Sequence, residues 1–261
     1  MPSEAELRAL YIDLMQKCLT NTIYEDPPQD PWTGGKFDAS TRERGLDWPS
    51  QAHTMIGSQR MRNLRRIVEH VITRGIPGDF IETGVWRGGA CIFMRAILKA
   101  HGVIDRIVWC ADSFEGLPKP DAARYPLDAG DRHHTYEKLR ISLDEVKANF
   151  AKYGLLDEQV RFLKGFFKDT LPTAPIERLS ILRVDADMYQ STMEALTYLY
   201  DKVMMGGFVI VDDYGALPGC RSATDEFRRQ RGVADPICNI DGIGVFWQKT
   251  AAGTAELQPK G

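Results

Sequence analysis

From residue 79 onward, short apolar runs alternate with stretches of helical periodicity, and this pattern most constrains the fold. The runs cover 79–82, 107–111, 160–163, Leu179–Val184 and 207–211; the helical stretches between and after them cover Gly89–Ala100, 143–153, 191–202 and 223–231. Strands separated by helices imply βαβ units, so the fold class is α/β with a mostly parallel, Rossmann-like sheet. Two further short strands, around 237–240 and 244–248, flank Asp241-Gly242, a strong hairpin turn signal. They place an antiparallel pair at one edge of a seven-stranded sheet. Ligands then belong at the carboxyl ends of the strands, near the point where strand order reverses.

The first 75 residues read differently. Glu4–Leu19 has apolar residues at Leu7, Leu10, Tyr11, Leu14 and Leu19, which fits an amphipathic helix. Residues 58–74 carry a second stripe: Met61, Leu64, Ile67, Val68, Val71 and Ile72. Between them, 26–49 is full of Pro, Gly and Asp and is expected to hold no regular helix or strand. With Trp32, Phe37 and Trp48 it reads as a segment that packs on something, a lid in preference to a structural arm. The expected organisation is a helical extension and lid over 1–75, a catalytic domain over 76–250 and a tail over 251–261, compact as one domain.

At 261 residues, with 43% hydrophobic residues and a net charge of −3, the chain has the balance of a globular protein and no electrostatic footprint for nucleic acid. No run approaches the roughly 20 apolar residues of a membrane span, and the polar, acidic start does not read as a signal peptide. Five scattered cysteines, never in a C-x-x-C pair, read as buried reduced thiols and point to the cytoplasm.

The first strand runs into Glu82-Thr83-Gly84-Val85-Trp86-Arg87-Gly88-Gly89. A dinucleotide fingerprint would place a glycine where Trp86 stands, to admit a pyrophosphate. Glu82 at the strand end would repel phosphate and suits a cationic group. The second strand ends in Asp112, placed to accept hydrogen bonds from ribose hydroxyls. The ordered pair favours a nucleoside without a pyrophosphate and with an amino acid tail, and S-adenosylmethionine fits.

The fourth strand delivers Asp185-Ala186-Asp187 and the fifth delivers Asp212-Asp213-Tyr214. Crowded carboxylates repel unless protonated or metal-bound, and oxygen ligands favour Mg²⁺, Ca²⁺ or Mn²⁺ over zinc. Asp185, Asp212 and Asp213 are the candidate metal ligands. Asp187 is the candidate general base that takes the proton of a hydroxyl, with helix capping as its bland alternative.

The motifs Ala52-His53-Thr54-Met55-Ile56-Gly57, Glu82-Thr83-Gly84-Val85-Trp86-Arg87-Gly88-Gly89-Ala90, Ala111-Asp112-Ser113-Phe114, Phe167-Lys168-Asp169-Thr170, Arg183-Val184-Asp185-Ala186-Asp187 and Asp212-Asp213-Tyr214 resemble the macrocin O-methyltransferase (TylF) family over nearly the whole chain. The resemblance implies a class I methyltransferase fold that methylates sugar hydroxyls of glycosylated natural products, using S-adenosylmethionine and Mg²⁺ or Mn²⁺. It implies that the cofactor's methionine end lies near Thr54, Met55, Glu82 and Gly84, its ribose at Asp112 and Ser113, and its adenine near Gly165 and Phe166. It also implies a homo-oligomer and mobile segments over the site, with 117–142 as a second lid. The His133-His134 pair in that lid reads first as a solvated loop feature. Catechol-type methyltransferases place a lysine three residues after the first metal ligand, where this chain has Met188; a phenol acceptor is the competing activity, and a silent binding protein on the same fold the competing class.

Overall fold

The computed structural model describes residues 1–250; the tail expected over 251–261 lies outside the described residues. In chain order the elements are α1 (Glu4–Leu19), α2 (Ala39–Arg44), α3 (Gly57–Thr73), β1 (Asp79–Thr83), α4 (Gly89–Ala100), β2 (Val108–Asp112), α5 (Leu143–Lys152), β3 (Val160–Lys164), α6 (Phe167–Thr170), β4 (Leu179–Val184), α7 (Tyr189–Leu199), β5 (Val203–Val211), α8 (Pro218–Gln230), β6 (Cys238–Asn239) and β7 (Val245–Gln248). The seven-stranded sheet has the order β3-β2-β1-β4-β5-β7-β6. Its first five strands pair in parallel, and β7 runs antiparallel to both β5 and β6. The order reverses between β1 and β4, so the crevice opens above their carboxyl ends.

The central strands are buried on both faces, as parallel strands covered by helices must be: Phe80, Ile81, Ile181, Leu182, Val209 and Val211 are all buried. On one side α3, α4 and α5 pack with α1; on the other α7 and α8 pack with Trp247. The helical extension is therefore part of the main core, through Ile12, Met15 and Leu19. Among the described residues no helix is long and apolar enough to cross a membrane.

Three expectations need correction. First, α1 buries Ile12, Met15, Gln16 and Leu19, whereas Leu7, Leu10 and Leu14 are exposed. The helix carries two apolar stripes, and periodicity alone does not choose between them; Leu19 and the half-buried Tyr11, which packs against the core, belong to both readings. Second, 26–49 contains a helix. Asp38 caps α2, its Oδ1 accepting from the Thr41 amide at 2.7 Å, and Gly45 closes it in the left-handed conformation at φ 63°. The segment is pinned by the fully buried Arg42, which bonds Asp26 at 2.7 Å and Asp47 at 2.8 Å. Third, α8 starts at Pro218, five residues before the expected start, because Pro218 is well placed in a first helical turn. The cysteines are all free, but Cys238 is exposed and Cys18 half-buried.

Both loops expected as lids are ordered against each other. Trp48 stacks edge-on with Trp32 at 5.0 Å and with Tyr136 at 5.2 Å. Lys138 Nζ donates to the Gln29 carbonyl at 2.6 Å, and the Trp86 indole donates to the Lys138 carbonyl at 2.9 Å.

Candidate active site

The turn after β1 is built by close backbone approach. A Cβ on Gly84, at φ 90°, would collide with the Asp185 carbonyl oxygen, so glycine lets the ends of β1 and β4 converge. A Cβ on Gly89 would likewise strike the His53 carbonyl, which accepts from the Gly89 amide at 2.9 Å. That contact docks the 52–57 segment on the N-terminus of α4. Asp112 ties β2 to the same turn: its Oδ2 accepts from the Val85 amide at 2.7 Å and its Oδ1 from the Phe114 amide at 2.8 Å. Burial pushes the Asp112 carboxyl up against those stabilising bonds.

Met55, Gly84, Trp86, Asp112, Ser113 and Phe166 line one cavity. Thr54, Glu82 and Gly165 do not line it. The Glu82 side chain is buried beneath the turn, where it pairs with Arg183 and accepts from Cys91 Sγ at 2.9 Å. Burial raises its carboxyl to about 7, with Arg183 pulling it down and Asp185 pushing it up. Gly165 accepts its role through the backbone: its amide donates to the Asp112 carbonyl at 2.9 Å, and the turn it makes at φ 143° delivers Phe166 to the cavity.

The acids at the ends of β4 and β5 converge, and two arginines to which the motif reading gave no role hold them together. Arg183, buried in the middle of the sheet, pairs with Glu82 of β1, with Asp212 after β5, and with Asp185 at 2.8 Å. Arg60 of α3 pairs with the other oxygen of Asp212, with Asp241 at 3.0 Å in the hairpin turn, and donates to the Gly45 carbonyl at 3.1 Å. The repulsion expected among bare aspartates is thus partly offset within the protein. A charged residue in the otherwise apolar run Ile181-Leu182-Arg183-Val184 was the visible signal. Asp213 stays outside the ion pairs. Among the described residues its Oδ2 is buried without a partner, and burial followed by Asp187 and Asp185 pushes its carboxyl well up. One carboxylate oxygen from each of Asp185, Asp212 and Asp213 lies within 4.8 Å of the others.

Asp187 is not a helix cap. It sits at φ 57°, a left-handed conformation uncommon for residues other than glycine, and lines the cavity. Met188 takes the N-cap position of α7 without a side-chain cap. The capping carboxylate comes from the second loop: Asp128 accepts from the Tyr189 amide at 2.6 Å and the Gln190 amide at 3.0 Å. Burial, then the charge of Asp185, raises the Asp187 carboxyl to about 7, with His133 acting in the opposite sense. A carboxylate so placed is poised to take a proton near neutrality.

The cavity holds about 660 Å³. Beyond the acids it is walled by Trp32, Leu46 and Trp48 from the first loop and by Leu117, Pro118, Tyr125 and His133 from the second. The family described as Macrocin-O-methyltransferase (TylF) matches residues 8–249. The chain belongs to this family. It is an O-methyltransferase, the activity named in relatives at about half identity along nearly their whole length. An 8-demethyl-8-(2,3-dimethoxy-alpha-L-rhamnosyl)-tetracenomycin-C 4'-O-methyltransferase from Streptomyces olivaceus is 53% identical over 97% of this chain and 98% of its own. A mycinamicin III 3''-O-methyltransferase from Micromonospora griseorubida is 50% identical over 93% of this chain and 97% of its own. Among solved structures, the O-methyltransferase NovP superposes with a TM-score of 0.90 at 52% identity, over 94% of this chain and 100% of that one. The calicheamicin methyltransferase CalS11, at 17% identity and a TM-score of 0.55 over 95% of this chain and 94% of that one, shares the fold.

Proposed function

We propose that this family member methylates a sugar hydroxyl of a glycosylated small molecule, with Asp187 accepting the hydroxyl proton and Asp185, Asp212 and Asp213 holding Mg²⁺ or Mn²⁺. The observation that carries the reading is the pairing, on one cavity, of the half-buried Asp187 with a carboxylate oxygen of Asp213 that no donor among the described residues satisfies. A buried acceptor left bare by two nearby guanidiniums fits a hard cation, and the donor set is all oxygen. Such a cation would supply Lewis acidity and lower the pKa of a hydroxyl beside it. Bound S-adenosylmethionine would supply the methyl group, carried on a sulfonium.

The protein's own part is positioning and proton transfer. Arg183 and Arg60 fix the Asp212 carboxylate from both sides, so the ligand does not depend on the cation for its orientation. Asp187 carries no such partner among the described residues, which leaves its carboxylate for the acceptor's proton. Met55, Gly84, Asp112, Ser113 and Phe166 are the cavity groups assigned to the cofactor; Thr54, Glu82 and Gly165 support them from behind. Trp32 and Trp48 offer an apolar wall for the CH groups of a sugar ring, and the first loop that carries them lies with the second over the site, keeping bulk water from the reacting atoms. The reading includes a homo-oligomer, carried by the family resemblance alone, and a cytoplasmic location, carried by the scattered unpaired cysteines.

Turnover with S-adenosylmethionine and Mg²⁺ on a rhamnosyl glycoside of an aromatic polyketide, set against catechol, tests the acceptor. Methyl transfer to the sugar is the expected result. Transfer to catechol alone would replace the sugar with a phenol.

A further inference from the structure

The second loop brings more than a wall to the cavity. Within it, the two carboxylate oxygens of Asp131 engage one residue: Oδ1 accepts from the His133 amide at 2.8 Å and Oδ2 meets the His133 ring Nδ1 at 2.7 Å. A carboxylate oxygen accepts, so this contact favours the hydrogen on Nδ1, and a ring in that tautomer presents its lone pair at Nε2. His133 lines the cavity, and its side chain is 27% exposed.

The loop is also referenced to the catalytic turn. The Asp131 amide donates to the Asp128 carbonyl at 3.1 Å. The Asp128 carboxylate in turn caps α7 through Tyr189 and Gln190, directly after Asp187. Asp128 is itself buried. Hydrogen bonds joined through Asp128 and Asp131 therefore tie the start of α7, two residues after Asp187, to the imidazole. Such an arrangement fixes a ring relative to a base in a way that a solvated loop histidine is not fixed.

We propose that His133 is an acceptor-binding residue, whose Nε2 takes a hydrogen bond from a hydroxyl neighbouring the one that is methylated, and that Asp131 is its positioning residue. The inference rests on the sugar-acceptor reading and sharpens it: the preferred acceptor is a sugar with a free hydroxyl beside the reacting one. Asp187 meets the reacting hydroxyl while His133 meets its neighbour, and the pair fixes which hydroxyl faces the methyl group. His134, whose Nδ1 is buried without a partner, has no equivalent support.

The test has two arms. In the first, ¹⁵N imidazole spectra of the wild type with S-adenosylhomocysteine identify the His133 tautomer. The Nδ1–H form is expected, with the preference lost in Asp131→Ala; an Nε2–H form would overturn the proposal without any acceptor being known. In the second arm, His133→Ala is assayed on the rhamnosyl glycoside and on its analogue lacking the neighbouring hydroxyl. The acceptor KM should rise at least tenfold, with kcat within about threefold and S-adenosylhomocysteine affinity unchanged. Removing that hydroxyl should penalise the wild type but add nothing in His133→Ala. Equal penalties in the two proteins, or a loss confined to kcat, would overturn it. Wild-type inactivity on every glycoside would sink the sugar reading instead, and the tautomer would still decide the role of His133.

Discussion

The Arg183 guanidinium, buried in β4, pairs with the Asp212 carboxylate after β5 while the same group reaches Glu82 in β1. One cation thus spans the three strands whose ends form the site. Removing one partner of a buried pair leaves uncompensated charge, at a cost of roughly 3–5 kcal/mol. Arg183→Met should therefore lose about that much stability in urea unfolding, although it is more apolar than the residue it replaces. A loss below about 1 kcal/mol would mean that the carboxylates tolerate one another without it.

Asp213 supplies the converse experiment. Its unpartnered Oδ2 and raised pKa mark a charge that the metal-free protein holds at a cost. Asp213→Asn should keep or raise the melting temperature in EDTA. Mn²⁺ should stabilise the wild type by about 2.7 kcal/mol at a hundredfold excess over Kd, and the variant far less. EDTA should abolish wild-type turnover and Mg²⁺ restore it. An equal Mn²⁺ shift in both proteins would remove Asp213 from the metal site.

For Asp187 the backbone makes asparagine a clean probe, since asparagine tolerates the left-handed conformation seen at φ 57°. The cap of α7 rests on Asp128 and is untouched. Asp187→Asn should keep S-adenosylhomocysteine affinity and lower kcat by roughly 10²–10⁴. A rate within a few-fold of wild type would assign the proton to another group.

What the sequence made legible is what is local. The strands, the glycine turn and the acids at the strand ends are read from runs of a few residues, and their meeting follows from the topology of a parallel sheet. The face of α1 was not legible, because Leu7, Leu10 and Leu14 compete with Ile12, Met15 and Leu19 and only packing against α3 and α4 decides. Nor were the partners that set the chemistry. Arg183 meets Glu82 across 101 residues, Arg60 meets Asp212 across 152, and Asp128 caps α7 from 61 residues away. α2 was missed for a different reason: Asp38 and Gly45 are ordinary cap residues, but the proline and glycine around them masked a helix of six residues.

His53 links the motif before α3 to acid stability. Its Nδ1 lies 2.8 Å from the Tyr153 hydroxyl, and its carbonyl holds the start of α4. Burial, aided by the charges of Lys152 and Arg87, lowers the imidazole pKa from 6.5 to about 4. The unfolded chain then binds a proton that the folded protein refuses, so the contribution is fully present above pH 6.5 and is lost as pH falls toward 4. Between pH 7 and pH 5 this one group should remove about 2 kcal/mol. His53→Gln keeps a polar partner for Tyr153 without titrating, so its urea midpoint should fall less steeply than that of the wild type over this range. Parallel slopes in the two proteins would place the acid sensitivity elsewhere, with the carboxylates of the ion-paired site as the next groups to replace.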